Sequence, residues 1–225
     1  MPSRFSTIIP IIVTNGGGGA MQNVSLYLAS RSPRRQALLE QMGVLHHVLP
    51  SGPGLTEGID VDESVRFAEK PEEYVMRVAI DKARAGLAFV RQKTDWAPHP
   101  VLAADTTIDF AQTILGKPQD QQEAKRMLGA LSGRTHTVLT AVVMVFGEQI
   151  HTRLSQSQVT FAALDEARIE RYVQTGEPMD KAGAYGIQGF AAAFITRIEG
   201  SYSGIMGLPL SETAELLKLF GIQSY

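Results

Sequence analysis

The six-residue segment SRSPRR, residues 30–35, most constrains the fold because it separates an apolar run from an amphipathic one. The run before it, residues 25–29, has the length and composition of a short buried strand. The run after it predicts a helix over 33–42 that stops at a glycine. Ser32 is suited to cap this helix and Pro33 to be its first residue. We therefore predict a strand, a tight turn and a helix N-terminus here.

Two arginines, Arg34 and Arg35, stand at the same helix N-terminus. Free backbone N–H groups and the positive helix end favour anions, and guanidinium groups bind phosphate through paired hydrogen bonds. The segment is therefore a candidate seat for a polyphosphate. The alternative is a well-capped helix with two solvated arginines, and the segment alone does not decide between the two.

The composition excludes several classes of protein and site. A net charge of −2 over 225 residues argues against a general binder of nucleic acid or of anionic membranes. The absence of cysteine excludes disulfides, thiolate catalysis and zinc–sulfur sites. The five histidines lack the spacing of a zinc site. A small anionic ligand in a local basic pocket remains compatible with these numbers.

Residues 1–22 differ from the rest of the chain. Their apolar run is interrupted by Pro10 and followed by four consecutive glycines. The run is too short to span a bilayer and lacks the long apolar core of a secretory signal, which is the alternative reading. We expect residues 1–22 to be a disordered extension, residues 23–225 to form a single domain, and the protein to be cytoplasmic.

The remaining chain alternates between strand-like and helix-like patterns, which predicts an α/β fold. We expect Asp109 to continue the strand that begins at residue 101, residues 116–118 to close a hairpin, and residues 200–204 to form a loop. The predicted helices cover 71–90, 121–131, 165–175 and 211–220, and the predicted strands cover 101–104, 135–146, 151–161 and 192–198. The strands at 135–146 and 151–161 form a long antiparallel ribbon in this prediction.

A carboxylate, Asp105, directly follows the predicted strand 101–104. Open α/β sheets place their active sites at the carboxyl ends of strands, where a carboxylate can bind a divalent cation or act as a general base on water. The alternative is an aspartate that caps a turn. The long connection over 50–70 carries an acidic cluster that includes Asp62 and Glu63, and connections of this length are often functional.

Two further positions have a functional and an ordinary interpretation. Lys117 is a candidate phosphate ligand or a solvated turn lysine. The segment over 180–189 has three glycines, which permit close approach of a ligand to the backbone. Within it, the amide of Gln188 offers both a donor and an acceptor to a base edge. The alternative is an ordinary glycine-rich turn.

Six motifs occur in a fixed order along the chain. They are ASRSPRR at 29–35, ADT at 104–106, LGKP at 115–118, LSGRTH at 131–136, the segment 179–189, and GLPL at 207–210. On these motifs, the chain over about residues 26–222 resembles the Maf family of nucleoside triphosphate pyrophosphatases. The stretch DKAGAYGIQG at 180–189 is similar to that of the dTTP/UTP pyrophosphatase branch.

The resemblance implies an elongated α/β fold of the Maf/ITPase type, in which helices flank a mixed, curved sheet and a cleft separates two lobes. It implies hydrolysis of dTTP, UTP and modified pyrimidine nucleotides to the monophosphate and pyrophosphate, by attack of water at the α-phosphate. A divalent cation, Mg²⁺, Mn²⁺ or Co²⁺, is the implied cofactor. The implied partner is a small nucleotide, with no stable nucleic acid and no membrane. Many such enzymes dimerise, so a homodimer is an alternative to a monomer.

The resemblance also assigns residues to roles. Asp105 matches the proton acceptor, and the metal is expected on Asp105 together with Asp62 or Glu63. The substrate-binding set consists of Ser32, Arg34, Arg35, Lys82, Thr106, Lys117 and Gln188. Arg34, Thr106 and Gln188 match positions of substrate selection, and Lys82 and Lys117 match lysines along the phosphate path.

The residues themselves support this chemistry, because positioning and charge neutralisation dominate phosphoryl transfer and no Ser or Cys nucleophile is required. Two alternatives stay open. The first alternative is a non-catalytic nucleotide-binding regulator of septum formation and cell division. The second is an enzyme that performs the same chemistry on a modified purine nucleotide. The intact set of Asp105, Lys82, Lys117 and Arg34 favours the enzyme.

Overall fold

The computed structural model describes residues 24–52 and 58–225. The expected extension over 1–22 lies outside the described residues, as does part of the long connection that follows the second strand. None of the helices within the described ranges combines the length and the apolar character needed to cross a bilayer.

Helices flank one mixed sheet, which has seven strands within the described part of the chain. The strands are β1 Leu26–Leu28, β2 His46–Val48, β3 Val101–Phe110, β4 Thr113–Leu115, β5 Thr135–Phe146, β6 Gln149–Phe161 and β7 Ile195–Glu199. The helices are α1 Pro33–Gln41, α2 Pro71–Arg91, α3 Gln121–Leu131, α4 Glu166–Gln174, α5 Tyr202–Met206 and α6 Leu210–Leu219. The strand order is β2–β1–β3–β5–β6–β7, and β4 pairs with β3. The expected mixed α/β architecture is confirmed.

The first strand–turn–helix unit forms as predicted. The Ser32 hydroxyl accepts a hydrogen bond from the backbone N–H of Arg35 at 3.4 Å, and Pro33 is the first residue of α1. Gly43 follows the helix with a φ of 70°, a left-handed conformation that glycine adopts without a steric penalty.

Asp105 lies inside strand β3, so its placement at a strand end is wrong, whereas the expected continuation of the strand at Asp109 is confirmed. β1 pairs in parallel with β3 only as far as Leu102, whereas β5 continues as an antiparallel partner up to Asp109. A continuous partner on one side keeps the polar residues 105–107 in the strand. β4 begins opposite Ile108, so among the described residues no strand neighbours the other edge of β3 between Leu102 and Ile108. Asp105 lies in this gap in the sheet.

Three further boundaries differ from the prediction. The β3–β4 hairpin turns at Ala111 and Gln112, with φ of 53° and 64°, and not at residues 116–118. Two consecutive positive φ values fit a type I′ turn, for which Ala-Gln gives no warning in the sequence. A 3₁₀ turn over Phe190–Phe194 replaces the start of the predicted strand 192–198. The predicted loop over 200–204 contains α5 instead, which the Ser201 hydroxyl caps.

The other predicted elements are confirmed with small shifts. Helices α2, α3, α4 and α6 lie where the apolar periodicity placed them, with Asp120 and Asp165 as the N-caps of α3 and α4. β5 and β6 form the expected ribbon, paired from Thr135–Thr160 to Phe146–Gln149. This ribbon is the central support of the sheet.

The two faces of the sheet are covered by different helices. Ala103 belongs to a buried cluster with residues of α2, whereas Leu102 and Ala104 belong to a cluster with α1 and α6. Because side chains alternate along a strand, Asp105 projects on the α2 face and Thr106 on the α1 face. A third cluster, with residues of α3 and α4, covers the far end of the sheet.

Candidate active site

A cavity of about 750 Å³ lies at the gap in the sheet, a size typical of small-molecule sites. The first turn of α1, the middle of β3, the segment 177–189 and the end of α5 contribute to its walls. Nine of the ten predicted site residues line it, namely Ser32, Arg34, Arg35, Glu63, Lys82, Asp105, Thr106, Lys117 and Gln188.

The tenth predicted residue, Asp62, does not line the cavity. Its carboxylate accepts the backbone N–H of Ser64 at 2.9 Å, and its side chain is exposed. Hydrogen bonding by the Ser64 hydroxyl, and then by the Ser64 backbone N–H, lowers the pKa of Asp62. Of the two alternative carboxylates, the structure therefore brings Glu63 to Asp105.

An acidic centre joins α2, β3 and the long connection. The ammonium Nζ of Lys82 donates to Asp105 Oδ1 at 2.7 Å and pairs with Glu63 Oε1 at 2.8 Å. Lys82, expected along the phosphate path, thus also bridges two carboxylates. Partial burial raises the pKa of Glu63, but the charge and hydrogen bond of Lys82 outweigh it and leave that pKa below its usual value. Glu63 is therefore ionised at neutral pH.

Helix α2 also holds the backbone on both sides of Glu63. The Tyr74 hydroxyl donates to the Glu63 carbonyl at 3.0 Å. Arg77 donates to the carbonyls of Asp62 at 3.1 Å and Ser64 at 2.9 Å, and pairs with Glu69 at 2.5 Å. One face of α2 therefore supplies Lys82 and orients the loop that carries its second carboxylate.

On the other face, Arg35 is bound within the protein. Its guanidinium donates to the Gly207 carbonyl at 2.7 Å, to Ser30 Oγ at 3.2 Å and to Thr106 Oγ1 at 3.2 Å. Burial lowers the pKa of Arg35, while the Asp105 charge acts in the opposite direction. These bonds tie α1 to β3 and to the end of α5.

Thr106 takes part in a directed chain of hydrogen bonds. The Thr140 hydroxyl donates to the Gly204 carbonyl at 2.8 Å, so at 3.0 Å it can only accept from Thr106. Thr106 accepts in turn from Arg35. Since the single proton of Thr106 is used, its side chain can offer a base only a remaining lone pair.

Two basic side chains of the cavity, unlike that of Arg35, form no hydrogen bond to a described residue. The Arg34 guanidinium and the Lys117 ammonium line the cavity, and neither makes a hydrogen bond to a residue within 24–52 or 58–225. At the start of α1 the N–H of Arg35 is taken by the cap, and Ser32 donates its own N–H to Ser30 Oγ at 3.2 Å. Arg34 and Lys117 are thus two cations available to an anionic ligand, and Arg31, whose guanidinium also makes no hydrogen bond to a described residue, lines the same cavity.

The opposite wall is the glycine-rich segment. Gln188 is exposed there, and its amide has no hydrogen bond to another described residue. Gly189 donates its N–H to the Gly186 carbonyl at 3.1 Å and closes a turn around Gln188. Gly183 donates to the Gly116 carbonyl at 2.9 Å, which joins this segment to the turn that carries Lys117.

A buried aromatic pair backs this wall. His136 Nε2 and the Tyr185 hydroxyl are 2.8 Å apart, and Tyr185 lines the cavity. Burial lowers the pKa of His136 to about 4, so the ring is neutral at neutral pH. The sequence prediction missed Tyr185, Thr140 and Glu177, whose partners are distant in sequence or lie across a loop. His136 and Tyr185 lie within two of the six motifs, and this position in the sequence was the signal that could have identified them as site residues.

Comparison with known proteins assigns the family. The family model described as Maf-like protein matches residues 25–220. The chain belongs to the Maf family. A dTTP/UTP pyrophosphatase of Aromatoleum aromaticum is 52% identical over 87% of this chain and 95% of its own length. A dTTP/UTP pyrophosphatase of Cupriavidus pinatubonensis is 53% identical over 86% of this chain and 95% of its own length.

A solved structure, the Staphylococcus aureus Ham1 protein, superimposes on this Maf chain with a TM-score of 0.43. It is 14% identical and covers 87% of this chain and 96% of that chain. This similarity is too low to support an inference about the site. The membership in the Maf family rests on the sequence comparisons and confirms the expectation from the six motifs.

Proposed function

We propose that this Maf chain hydrolyses pyrimidine nucleoside triphosphates, dTTP and UTP above all, to the monophosphate and pyrophosphate. The observation that carries the proposal is that one cavity contains both the carboxylates of Asp105 and Glu63 and the basic side chains of Arg34 and Lys117. The two relatives described above, both named dTTP/UTP pyrophosphatase, are consistent with this proposal.

The basic side chains favour a triphosphate as the ligand. Arg34 and Lys117 face the cavity without protein partners within the described ranges, while Arg35 is fixed beside them. Guanidinium and ammonium groups neutralise phosphate oxygens through charge-assisted hydrogen bonds. We assign the phosphates to the end of the cavity formed by α1 and the Lys117 turn.

Asp105 is suited to take a proton from water. Its Oδ1 accepts from Lys82, and its Oδ2 has no hydrogen bond to a described residue, which leaves this oxygen for a water molecule. Attack of that water at the α-phosphorus forms one P–O bond and breaks the bond to the bridging oxygen. The proton passes to Asp105, and pyrophosphate leaves with the electron pair.

We assign the base to the glycine-rich end. Gln188 is free to donate to a pyrimidine carbonyl and to accept from a ring N–H. A base that does not match leaves these groups unpaired, which disfavours its binding. Thr106 contributes an acceptor at most, because its proton is used within the protein.

The carboxylate pair also fits a divalent cation. Asp105 Oδ1 and Glu63 Oε1 lie 2.7 Å and 2.8 Å from the Lys82 ammonium, so a metal ion bound by the pair would share these oxygens with Lys82 or displace it. Hard cations take oxygen ligands, and Mg²⁺ is commonly held by one or two carboxylates together with substrate phosphates. The described residues contain no group of three or more His, Asp or Glu side chains able to hold a metal by themselves. Asp105 and Glu63 would hold the ion, which when bound supplies charge neutralisation at the phosphoryl group.

The test is pyrophosphate release by the purified chain from a panel of canonical and modified nucleotides, with and without Mg²⁺. Selective release from dTTP and UTP supports the proposal, and a requirement for Mg²⁺ supports the cation. Release from no nucleotide with any divalent ion contradicts the activity and favours a nucleotide-binding regulator. Preferred release from a modified purine contradicts the assignment of the base.

A further inference from the structure

One carboxylate ties the glycine-rich end of the cavity to the rest of the molecule. Glu177 lies at the start of the segment 177–190, and its side chain reaches the far end of that segment. Its Oε1 accepts from the Tyr172 hydroxyl at 2.9 Å, and its Oε2 accepts from the backbone N–H of Phe190 at 2.9 Å. Tyr172 is a buried residue of α4, only 3% exposed. Glu177 therefore links a fixed helix to both ends of a loop.

The loop is shaped around this carboxylate. A Cβ at Gly189 would lie 2.2 Å from Glu177 Oε1 and 2.3 Å from Oε2, so only glycine lets the carboxylate lie on the backbone there. Any side chain at Gly189 must displace the carboxylate and thereby break its bonds to Tyr172 and Phe190. At the other end, Lys181 Nζ donates to the Glu177 carbonyl at 2.7 Å.

Gln188 depends on this arrangement for its position. It lies between Gly186 and Phe190, where the Gly189–Gly186 bond and the Phe190–Glu177 bond hold the backbone. Its own amide has no partner among the described residues, so nothing else in that part of the chain orients it. Burial raises the pKa of Tyr172, and so do its hydrogen bond to Glu177 and the negative charge of Glu177. The Tyr172 hydroxyl therefore stays protonated and can donate.

We propose that Glu177 is a positioning residue for base selection, which acts through Gln188 without binding the phosphates itself. The proposal rests on the assignment of the base to this end of the cavity. Both oxygens of the carboxylate already accept hydrogen bonds from the protein, and their negative charge disfavours contact with a triphosphate. A group held within a fraction of an ångström discriminates between bases better than a mobile one.

The main variant is Glu177→Gln, which keeps the size of the side chain but cannot accept from both donors. We expect the ratio of kcat/KM for UTP to that for the best of CTP, ATP and GTP to fall by about tenfold, the equivalent of one lost hydrogen bond. Saturated turnover of UTP should change by less than about threefold, because the Asp105 centre is untouched. Gly189→Ala should produce the same loss by displacing the carboxylate.

A double-mutant cycle with Gln188→Ala separates positioning from general stability. If Glu177 acts through Gln188, the loss of discrimination caused by Glu177→Gln disappears in the Gln188→Ala background. The matched control is Glu215→Gln, which removes an exposed carboxylate paired with Arg153 on the outside of the sheet and should leave the ratio unchanged. An unchanged ratio in Glu177→Gln contradicts the proposal, even if its melting temperature falls, and so do additive effects in the cycle.

The outcome for Glu177 can be distinguished from failure of the proposed function. If the unsubstituted chain hydrolyses no nucleotide, the proposed hydrolysis is wrong, and discrimination is read from the Kd values of UTP, CTP, ATP and GTP by calorimetry. A Kd ratio that falls in Glu177→Gln still supports positioning. An equal Kd ratio in both chains, or equal affinity of the unsubstituted chain for all four nucleotides, contradicts it.

Discussion

The two ends of the cavity hold their side chains in opposite ways. At the α1 end, the Arg35 guanidinium makes three hydrogen bonds to the protein, and one of them continues through Thr106 and Thr140 to Gly204. At the glycine-rich end, the Gln188 amide is exposed and unbonded within the described residues, and order comes from the backbone around it.

The difference matches what each end must recognise in the proposed substrate. Phosphates are common to all nucleoside triphosphates, and at this end the fixed Arg35 lies beside the cationic groups of Arg34 and Lys117, which make no hydrogen bond to a described residue and can therefore bind phosphate oxygens. Bases differ in their edges, and a backbone scaffold with one free amide leaves donors and acceptors for that edge. Asp105 lies between the two ends, on the opposite face of β3 from Thr106.

We expect the largest effect from a substitution at Asp105, where the proposed reaction takes place. Asp105→Asn removes the proton acceptor, and we expect pyrophosphate release to fall by about 10³-fold. The melting temperature should change little, since the asparagine carbonyl can still accept from Lys82. A variant that keeps most of its activity would remove Asp105 from the reaction.

The second effect concerns the stability of the wall behind the base. The pKa of His136 lies at about 4, below its ordinary 6.5. Its contribution to stability is therefore present above pH 6.5 and is lost as the pH falls towards 4. We expect the unsubstituted chain to lose about 3 kcal/mol more than His136→Phe when urea unfolding is compared at about pH 7.5 and about pH 4. Equal losses in the two chains would show that His136 is accessible to protons in the fold.

The third effect tests the rigid end. Arg35→Lys keeps the charge but cannot reach Gly207, Ser30 and Thr106 at once, and we expect kcat/KM to fall by about 30-fold for every nucleotide alike. The matched control is Arg197→Lys, an exposed residue paired with Glu199, which should leave kcat/KM unchanged. A loss confined to one base would show that the α1 end takes part in base selection and would break the comparison.

The smallest effect should come from the open end. Gln188→Ala removes the free amide, and we expect the preference for UTP over other nucleotides to fall by about tenfold, while turnover of saturating UTP falls by less than about threefold. Steady-state kinetics over the four ribonucleotides measures both quantities. An unchanged ranking of substrates would contradict the assignment of the base to this end.

Whether a feature could be predicted from the sequence depends on how far apart in the chain its interacting residues are. The capped start of α1 was predictable because Ser32, Pro33 and the apolar periodicity are neighbours in the chain. The inclusion of residues 105–107 in β3 was not, because it depends on pairing with β5, more than thirty residues away. The hairpin at Ala111 and Gln112 lacks the glycine or asparagine typical of its turn.

The site residues divide in the same way. The motifs identified the residues that meet in the cavity, but the choice of Glu63 over Asp62 required the contacts that Tyr74 and Arg77 make with the loop. The role of Glu177 depends on Tyr172 and Phe190, which approach it only in the folded chain. Local patterns thus identified residues that line the cavity, and the tertiary structure showed how they are held.

The central claim is that water attacks the α-phosphorus of a pyrimidine triphosphate whose phosphates lie at the α1 end. The most direct measurement is hydrolysis of UTP in water enriched in oxygen-18, with mass spectrometry of both products. Attack at the α-phosphorus places the heavy oxygen in UMP and leaves the pyrophosphate unlabelled. Heavy oxygen in the pyrophosphate would show attack at the β-phosphorus and would contradict the placement of the substrate beside Asp105.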